Sequence, residues 1–222
     1  CESIRRHRNG RHTREKNYRY ACEVFSKVPV KPGKKKRVGI TGEIYMKYSK
    51  LGNDDIESFL LRQGMEPYSG GFVNYCLYLV DTERYKAEKY QHNPIMVKAC
   101  AFVLHRLCEA QKHLLTVIGE TDRFQTDLPF PELKEKVQGI LAEGCNTGDG
   151  WLIAAEVIQY VEKGCGSVLI LHPFGCLVSH VCERGILQRL HARFPDVSIQ
   201  TIEYDYDQSQ TLRESRILLG IS

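Results

Sequence analysis

Apolar residues along the chain follow two patterns, short continuous runs and longer stretches with helical spacing. Short β-branched and aliphatic runs are typical of buried strands, whereas apolar residues three or four positions apart predict helices. The runs predict strands at 38–41, 167–171 and 197–202, and a further short strand is predicted at 66–68. The helical spacing predicts helices at 13–28, 55–63, 131–142, 151–163, 181–193 and 209–219, and at least two more within 70–112.

Capping residues mark several of these boundaries. Asn53 or Asp54 can accept hydrogen bonds from the first turn of the helix at 55–63, and Gly64 can end that helix. Proline is favourable in the first turn of a helix, so Asn93 and Pro94 are predicted to divide the long helical stretch.

The order of the elements predicts an α/β fold. Strands alternate with helices, which favours a parallel sheet covered on both faces. We expect three layers, with a mostly parallel four-stranded sheet of flavodoxin-like order between helices, and a helical extension at the N-terminus. Residues 1–36 are predicted to form a basic helical extension and linker, and residues 37–222 the α/β domain.

Composition is that of an ordinary globular chain. Hydrophobic residues make up 42% of its 222 residues, and no apolar run approaches the roughly 18 residues that a membrane span needs. The N-terminus lacks the hydrophobic segment of a secretion signal. Because the chain does not begin with Met, we expect it to be part of a longer protein.

Positive charge is concentrated near the N-terminus. The net charge is +4, and between Arg5 and Arg37 only Glu15 and Glu23 are acidic. A basic segment can contact nucleic acid or an acidic surface, but the aromatic and glycine pattern of a single-strand binding module is missing. We therefore favour a solvated basic helix, or one that packs on a missing acidic part, over nucleic-acid binding.

The nine cysteines do not have the spacing of a disulfide framework. Their number is odd, their spacing is irregular, and no C-x-x-C occurs. A zinc knuckle is equally unsupported. This usage predicts a reducing, cytoplasmic environment.

The turn His172–Cys176 is the first candidate for chemistry. It follows the run Ser167–Leu171 and precedes a predicted helix, so Cys176 is expected at the carboxyl end of a parallel strand. Ligands of open α/β sheets bind at that edge. A cysteine there can bind a metal or a cluster or act as a nucleophile, and the alternative is a small residue that fills a tight turn.

Two acidic residues are predicted near the same edge. Glu43 follows the first strand of the sheet and Asp205 the last, and loops that follow parallel strands lie on one side. Glu43, Cys176 and Asp205 are therefore expected to share a cleft. The alternative for each carboxylate is a solvated loop position.

The glycine-rich turn Gly144–Gly150 precedes a predicted helix. Its backbone N–H groups can hold an anion such as a phosphate, although the turn matches neither a Walker loop nor a dinucleotide-binding fingerprint. The alternative is capping of the following helix by Thr147 or Asp149.

Two histidines flank the Cys176 turn. His172 and His180 each lie four residues from Cys176. A histidine beside a cysteine can activate a thiolate. This spacing fixes no geometry across a turn, so a capping or surface role for His180 is the alternative.

Three segments together resemble one protein family. They are Arg37–Asn53, Thr147–Glu156 and His172–Leu177, followed by the pairs Tyr204-Asp205 and Arg216-Ile217. In this order they are similar to 2-hydroxyacyl-CoA dehydratase component D and activase-related proteins. The similarity is closest to the C-terminal part of the CoA-substrate-specific activase-related subfamily, and it covers about residues 15–220.

The resemblance implies an iron–sulfur protein of the anaerobic cytoplasm with a dehydratase-like α/β domain. In the relatives, cysteines hold a [4Fe–4S] cluster between domains, and the cysteine of the Pro-Phe-Gly-Cys turn matches Cys176. The family's other cysteines lie upstream of this chain. Cys145 departs from the family pattern, which has Asn there, but it is placed to share a metal with Cys176 if the two turns meet.

The resemblance also implies a lyase system in which an acyl-CoA thioester is reduced by one electron. Glu43 and His180 are then candidate acid/base or supporting catalytic residues. Gly42, Gly148, Gly150 and Asp205 are candidate cofactor-binding residues. The expected partners are the missing N-terminal region or a partner subunit, and acyl-CoA. The fragment alone is expected to be inactive, and the alternative is a non-catalytic scaffold or partner-binding domain.

Overall fold

A computed structural model of the chain describes residues 11–30, 33–121 and 123–221. Its helices are α1 Arg11–Ser26, α2 Ile44–Tyr48, α3 Ile56–Arg62, α4 Phe72–Lys89, α5 Pro94–Gly119, α6 Phe130–Lys136, α7 Gly150–Glu162, α8 Leu187–Arg193 and α9 Gln210–Ile221. Its strands are β1 Arg37–Gly42, β2 Glu66–Ser69, β3 Ser167–Pro173 and β4 Ser198–Tyr204. A π-helical turn, Ser179–Glu183, and a 3₁₀ turn, Arg184–Ile186, precede α8.

The four strands form one parallel sheet in the order β2-β1-β3-β4. This confirms the predicted α/β class and the flavodoxin-like order. The chain leaves β1 for β2 on one side and continues with β3 on the other, so the strand order reverses between β1 and β3. A crevice at the carboxyl ends of the strands is expected at that point.

The sheet is covered on both faces, as three layers require. One face carries Val38, Ile40, Leu169 and Leu171 into a core with residues of α2, α3 and α9. α7 covers the opposite face. A Cβ on Gly39 would lie 2.7 Å from Cδ2 of Tyr160 in α7, so the helix packs directly on the backbone of β1.

The chain divides into two compact units. One contains the described residues up to Gly33 together with Leu79–Phe130, and the other contains Lys34–Tyr78 and Pro131–Ser222. All four strands and the α/β core lie in the second unit. The predicted boundary between residues 36 and 37 stays a prediction.

The first unit is built on α1 and α5. Arg19 of α1 donates to both carboxylate oxygens of Glu120, which follows α5, and also pairs with Glu15. Asn93 accepts from the backbone N–H of Met96 at 3.1 Å, and Pro94 occupies the first turn of α5, as predicted. Among the described helices, none combines the length and the apolar character that crossing a bilayer requires.

Three local predictions were wrong. The five-residue helix α2 was not predicted, because a single turn is too short to display a period. The helix expected at 131–142 ends at Lys136. The helix expected at 181–193 is α-helical only from Leu187, because its first part winds more widely as a π turn and then more tightly as a 3₁₀ turn.

Candidate functional site

The loop after β1 is pressed against the end of β3, at the point where the strand order reverses. Gly42 has φ +132°, and a Cβ there would lie 2.0 Å from the carbonyl oxygen of Leu171. The N–H of Glu43 donates to the same oxygen at 2.8 Å. Only glycine fits this close approach, so Gly42 fixes the position from which Glu43 and α2 leave the sheet.

Two carboxylates meet at the first turn of α2. Glu43 accepts from the N–H of Met46 at 3.0 Å, and Asp149 accepts from the N–H of Ile44 at 3.3 Å. Asp149 stands at the N-cap position of α7 but its side chain makes no capping bond to that helix. Of the two alternative caps, Thr147 and Asp149, Asp149 therefore does not cap the helix that follows it, because its carboxylate accepts from the first turn of α2 instead.

Two buried carboxyl groups at this edge, those of Asp149 and Glu183, have raised pKa values. Burial raises the pKa of Asp149 to about 7, and the nearby charge of Glu43 adds to the rise. Burial also raises the pKa of Glu183, at the end of the π turn, to about 8, with Asp149 and Glu43 contributing. Carboxyl groups with pKa values near neutrality are typical of sites of acid/base catalysis.

A buried ion pair lies next to this acidic group. Nζ of Lys47 is 2.7 and 2.8 Å from the two carboxylate oxygens of Glu156, and the two side chains are only 3% and 5% exposed. Thr41 of β1 donates to Glu156 at 2.5 Å. Burial is the largest single influence and lowers the pKa of Lys47, but Glu156, Tyr160 and Tyr48 together outweigh it and hold that pKa well above its ordinary value.

The Cys176 turn lies at the carboxyl end of β3, where it was predicted. The hydroxyl of Ser179 donates to Sγ of Cys176 at 3.1 Å. Nδ1 of His180 lies 2.8 Å from the carbonyl oxygen of Cys176, so the imidazole contacts the backbone of the turn. The π turn that follows places Cys182 and Glu183 in the interior.

The two cysteine-bearing turns do approach each other. A Cβ on Gly148 would lie 3.2 Å from Cγ2 of Val178, two residues after Cys176. Burial raises the pKa of Cys182 to about 11, and the nearby Cys145 and Cys176 add to the rise. Three thiols from two turns therefore share one region.

Sequence reasoning did not single out Cys182 as a ligand. It occupies a stretch that was expected to be an ordinary helix, where a cysteine is indistinguishable from a small apolar core residue. The burial of Asp149 and Glu183 was not predicted either, because carboxylates are normally solvated. The one available signal was the position of Cys182 six residues after Cys176.

The remaining predicted site residues have structural explanations of their own. Gly150 has φ +33°, and a Cβ there would lie 2.1 Å from the carbonyl oxygen of Cys145, which accepts from the N–H of Trp151. Gly148 has φ +58°. Asp205 accepts from the N–H of Asp207 at 3.1 Å in a local turn after β4. Cofactor binding by these residues stays a prediction.

Comparison with protein-family models, with curated proteins and with solved structures gave no match. The function must therefore be argued from the side chains at the carboxyl edge of the sheet.

Proposed function

We propose that this chain is an iron–sulfur domain in which Cys145, Cys176 and Cys182 are ligands of a [4Fe–4S] cluster. The observation that carries the proposal is the approach of the Cys145 turn to the Cys176 turn at the carboxyl edge of a parallel sheet, with Cys182 buried in the π turn that follows Cys176. Thiolates are the usual ligands of such clusters. The three cysteine sulfurs are chemically suited to a [4Fe–4S] cluster. This chain would supply three of the four ligands, and another region or subunit would supply the fourth.

The arrangement fits a cluster better than a single ion. Among the described residues, the ligand atoms that lie within 4.8 Å of one another are those of His172, His180 and Glu203, and no cysteine belongs to that group. Each thiolate of a four-iron cluster binds a different iron, so its sulfurs lie farther apart than around one metal ion. In the part of the chain that the structure describes, the three thiols do not fall within the 4.8 Å limit of a single-ion site, which leaves the wider spacing of a cluster.

The buried acids are suited to proton transfer beside such a centre. A bound cluster would supply one electron at a time, which is the chemistry that the resemblance implies for acyl-CoA thioesters. The chain itself supplies groups that can take up or release a proton near neutral pH, Asp149 above all. Glu43 tunes Asp149 through its charge, and His180 holds the Cys176 turn through the backbone.

We also propose a reducing, cytoplasmic location, and the unpaired cysteines agree with it. The cysteines among the described residues are all free thiols. Free thiols at a ligand site must stay reduced until iron is inserted.

Anaerobic reconstitution with ferrous iron and sulfide tests the proposal. The reconstituted chain is expected to turn brown and to give an electron paramagnetic resonance signal after one-electron reduction by dithionite. Cys176→Ser should lose most of this signal because one ligand is gone. The matched control is Cys76→Ser, which changes an exposed cysteine and should keep the signal. An equal signal in both variants, or none in the unmodified chain, would favour a scaffold role instead.

A further inference from the structure

We propose that His172, His180 and Glu203 form a second metal site, which takes a divalent ion of the zinc class. Their ligand atoms all lie within 4.8 Å of one another. Two imidazoles and one carboxylate are a common ligand set for zinc and for non-haem ferrous iron. The site uses none of the cysteines and does not depend on the proposed cluster.

The sheet register brings two of the three ligands together. His172 in β3 is the direct neighbour of Glu203 in β4, and side chains at paired positions of adjacent strands lie on the same face of a sheet. The π turn then places His180 above them, with its ring 5.6 Å from that of His172 and nearly perpendicular to it. Three separate elements thus supply the three ligands.

The ring of His172 supports a ligand role independently of this grouping. His172 is fully buried, and its Nε2 makes no hydrogen bond in the described part of the structure. A buried polar atom without a partner costs about 1 to 3 kcal/mol unless something else binds it. Nδ1 lies 3.3 Å from the carbonyl oxygen of Pro173. When Nδ1 carries the proton toward that oxygen, Nε2 keeps a lone pair that can bind a metal ion.

His180 is oriented in the same way. Its Nδ1 lies 2.8 Å from the carbonyl oxygen of Cys176, which leaves Nε2 facing Oε1 of Glu203 at 3.9 Å. Metal-binding histidines usually donate their second N–H to a carbonyl or carboxylate, which fixes the ring and the tautomer.

The carboxylate and the access route fit an open metal site. Arg184 donates to Oε2 of Glu203 at 2.9 Å, so Oε1 remains directed to the histidines. His180 and Glu203 are 38% and 25% exposed at their side chains, which gives an ion a way in and leaves room for water or a substrate atom. Three protein ligands with an open position are typical of catalytic rather than structural zinc.

Titration of the metal-free chain with Co²⁺, followed by displacement with Zn²⁺, tests the proposal. In the variant that carries Cys145→Ser, Cys176→Ser and Cys182→Ser, we expect one Co²⁺ per chain, with visible bands of a nitrogen–oxygen site and without the near-ultraviolet charge-transfer bands of thiolate ligands. His180→Ala and Glu203→Gln should each weaken Co²⁺ binding at least about tenfold. Mutating a residue that only hydrogen-bonds to a metal ligand already lowers metal affinity by about that factor. His180 and Glu203 are chosen because both are partly exposed, whereas a change at buried His172 risks the fold.

The matched control is His191→Ala, which removes an exposed histidine of α8 and should leave the affinity unchanged. An absence of Co²⁺ binding, an affinity that does not fall in His180→Ala and Glu203→Gln, or a spectrum dominated by thiolate bands would each overturn the proposal. The spectrum also separates this site from the proposed cluster, since only the cluster requires the cysteines.

Discussion

Replacing Lys47 with methionine is expected to lower the free energy of unfolding by about 3 to 5 kcal/mol. Among the described contacts, the ammonium of Lys47 is the only one that pairs with the carboxylate of Glu156. The change removes this ammonium and leaves the Glu156 carboxylate buried, with 5% of its side chain exposed. Breaking a buried ion pair on one side costs this much because the remaining charge is neither solvated nor paired. Urea denaturation of the two proteins at pH 7 measures the difference.

The matched control is Lys50→Met, three residues along the chain. Lys50 pairs with Asp55 at 3.2 Å, but its side chain is 69% exposed, and surface pairs contribute about 0 to 1 kcal/mol. The double variant Lys47→Met with Glu156→Leu should recover much of the lost stability, because an apolar replacement of a whole buried pair is often neutral. Equal losses in Lys47→Met and Lys50→Met would contradict the buried pair.

Replacing Asp149 with asparagine is expected to stabilise the protein at pH 8 and to leave it nearly unchanged at pH 4. Burial and the charge of Glu43 raise the pKa of Asp149 to about 7 in the folded protein, against 3.8 for an ordinary aspartate. The folded state therefore keeps a proton that the unfolded state releases as the pH rises above about 4. Below about pH 4 the bound proton makes its full contribution to the free energy of unfolding. This contribution falls as the pH rises and is lost by about pH 7.

The size of this effect follows from the pH interval. Each pH unit between the two pKa values corresponds to about 1.4 kcal/mol, so about three units give a ceiling of about 4 kcal/mol. Glu156 adds to the rise and Lys47 opposes it, so about 2 to 4 kcal/mol is expected. Asparagine keeps an oxygen for the N–H of Ile44.

Urea denaturation of Asp149→Asn and the unmodified chain at several pH values between 4 and 9 measures the gain. The control Asp196→Asn changes an exposed aspartate and should follow the unmodified chain at every pH. A constant difference between Asp149→Asn and the unmodified chain would show that the buried carboxyl does not titrate as described.

Three of the four strands could be predicted because their apolar runs leave little choice. Ser167–Leu171 is buried throughout, as a central parallel strand must be, and such a run carries its own signal. The helix at 181–193 could not be predicted correctly, since a π turn and an α-helix display similar apolar spacing over one turn. The π turn packs on α7, which ends seventeen residues before it, and this contact is not visible in the local pattern.

The location of the candidate site could be predicted, but its composition could not. Cys176 and Glu43 follow parallel strands, so topology alone assigns them to the carboxyl edge. The buried position of Cys182 depends on the winding of the π turn. The raised pKa of Asp149 depends on its burial by segments that are distant in sequence. Glu203 is a ligand candidate only through its register with His172, which no local pattern encodes.

Iron and acid-labile sulfide per chain, measured after purification without oxygen, test the central claim most directly. The account predicts stoichiometric iron and sulfide in the unmodified chain and in Cys76→Ser. It predicts a large loss of both in Cys145→Ser, Cys176→Ser and Cys182→Ser, because each variant removes one proposed ligand. Cys182→Ser is the most informative of the three, since only the structure points to that residue. Iron that stays constant in Cys182→Ser, or that is absent from the unmodified chain, would contradict the account.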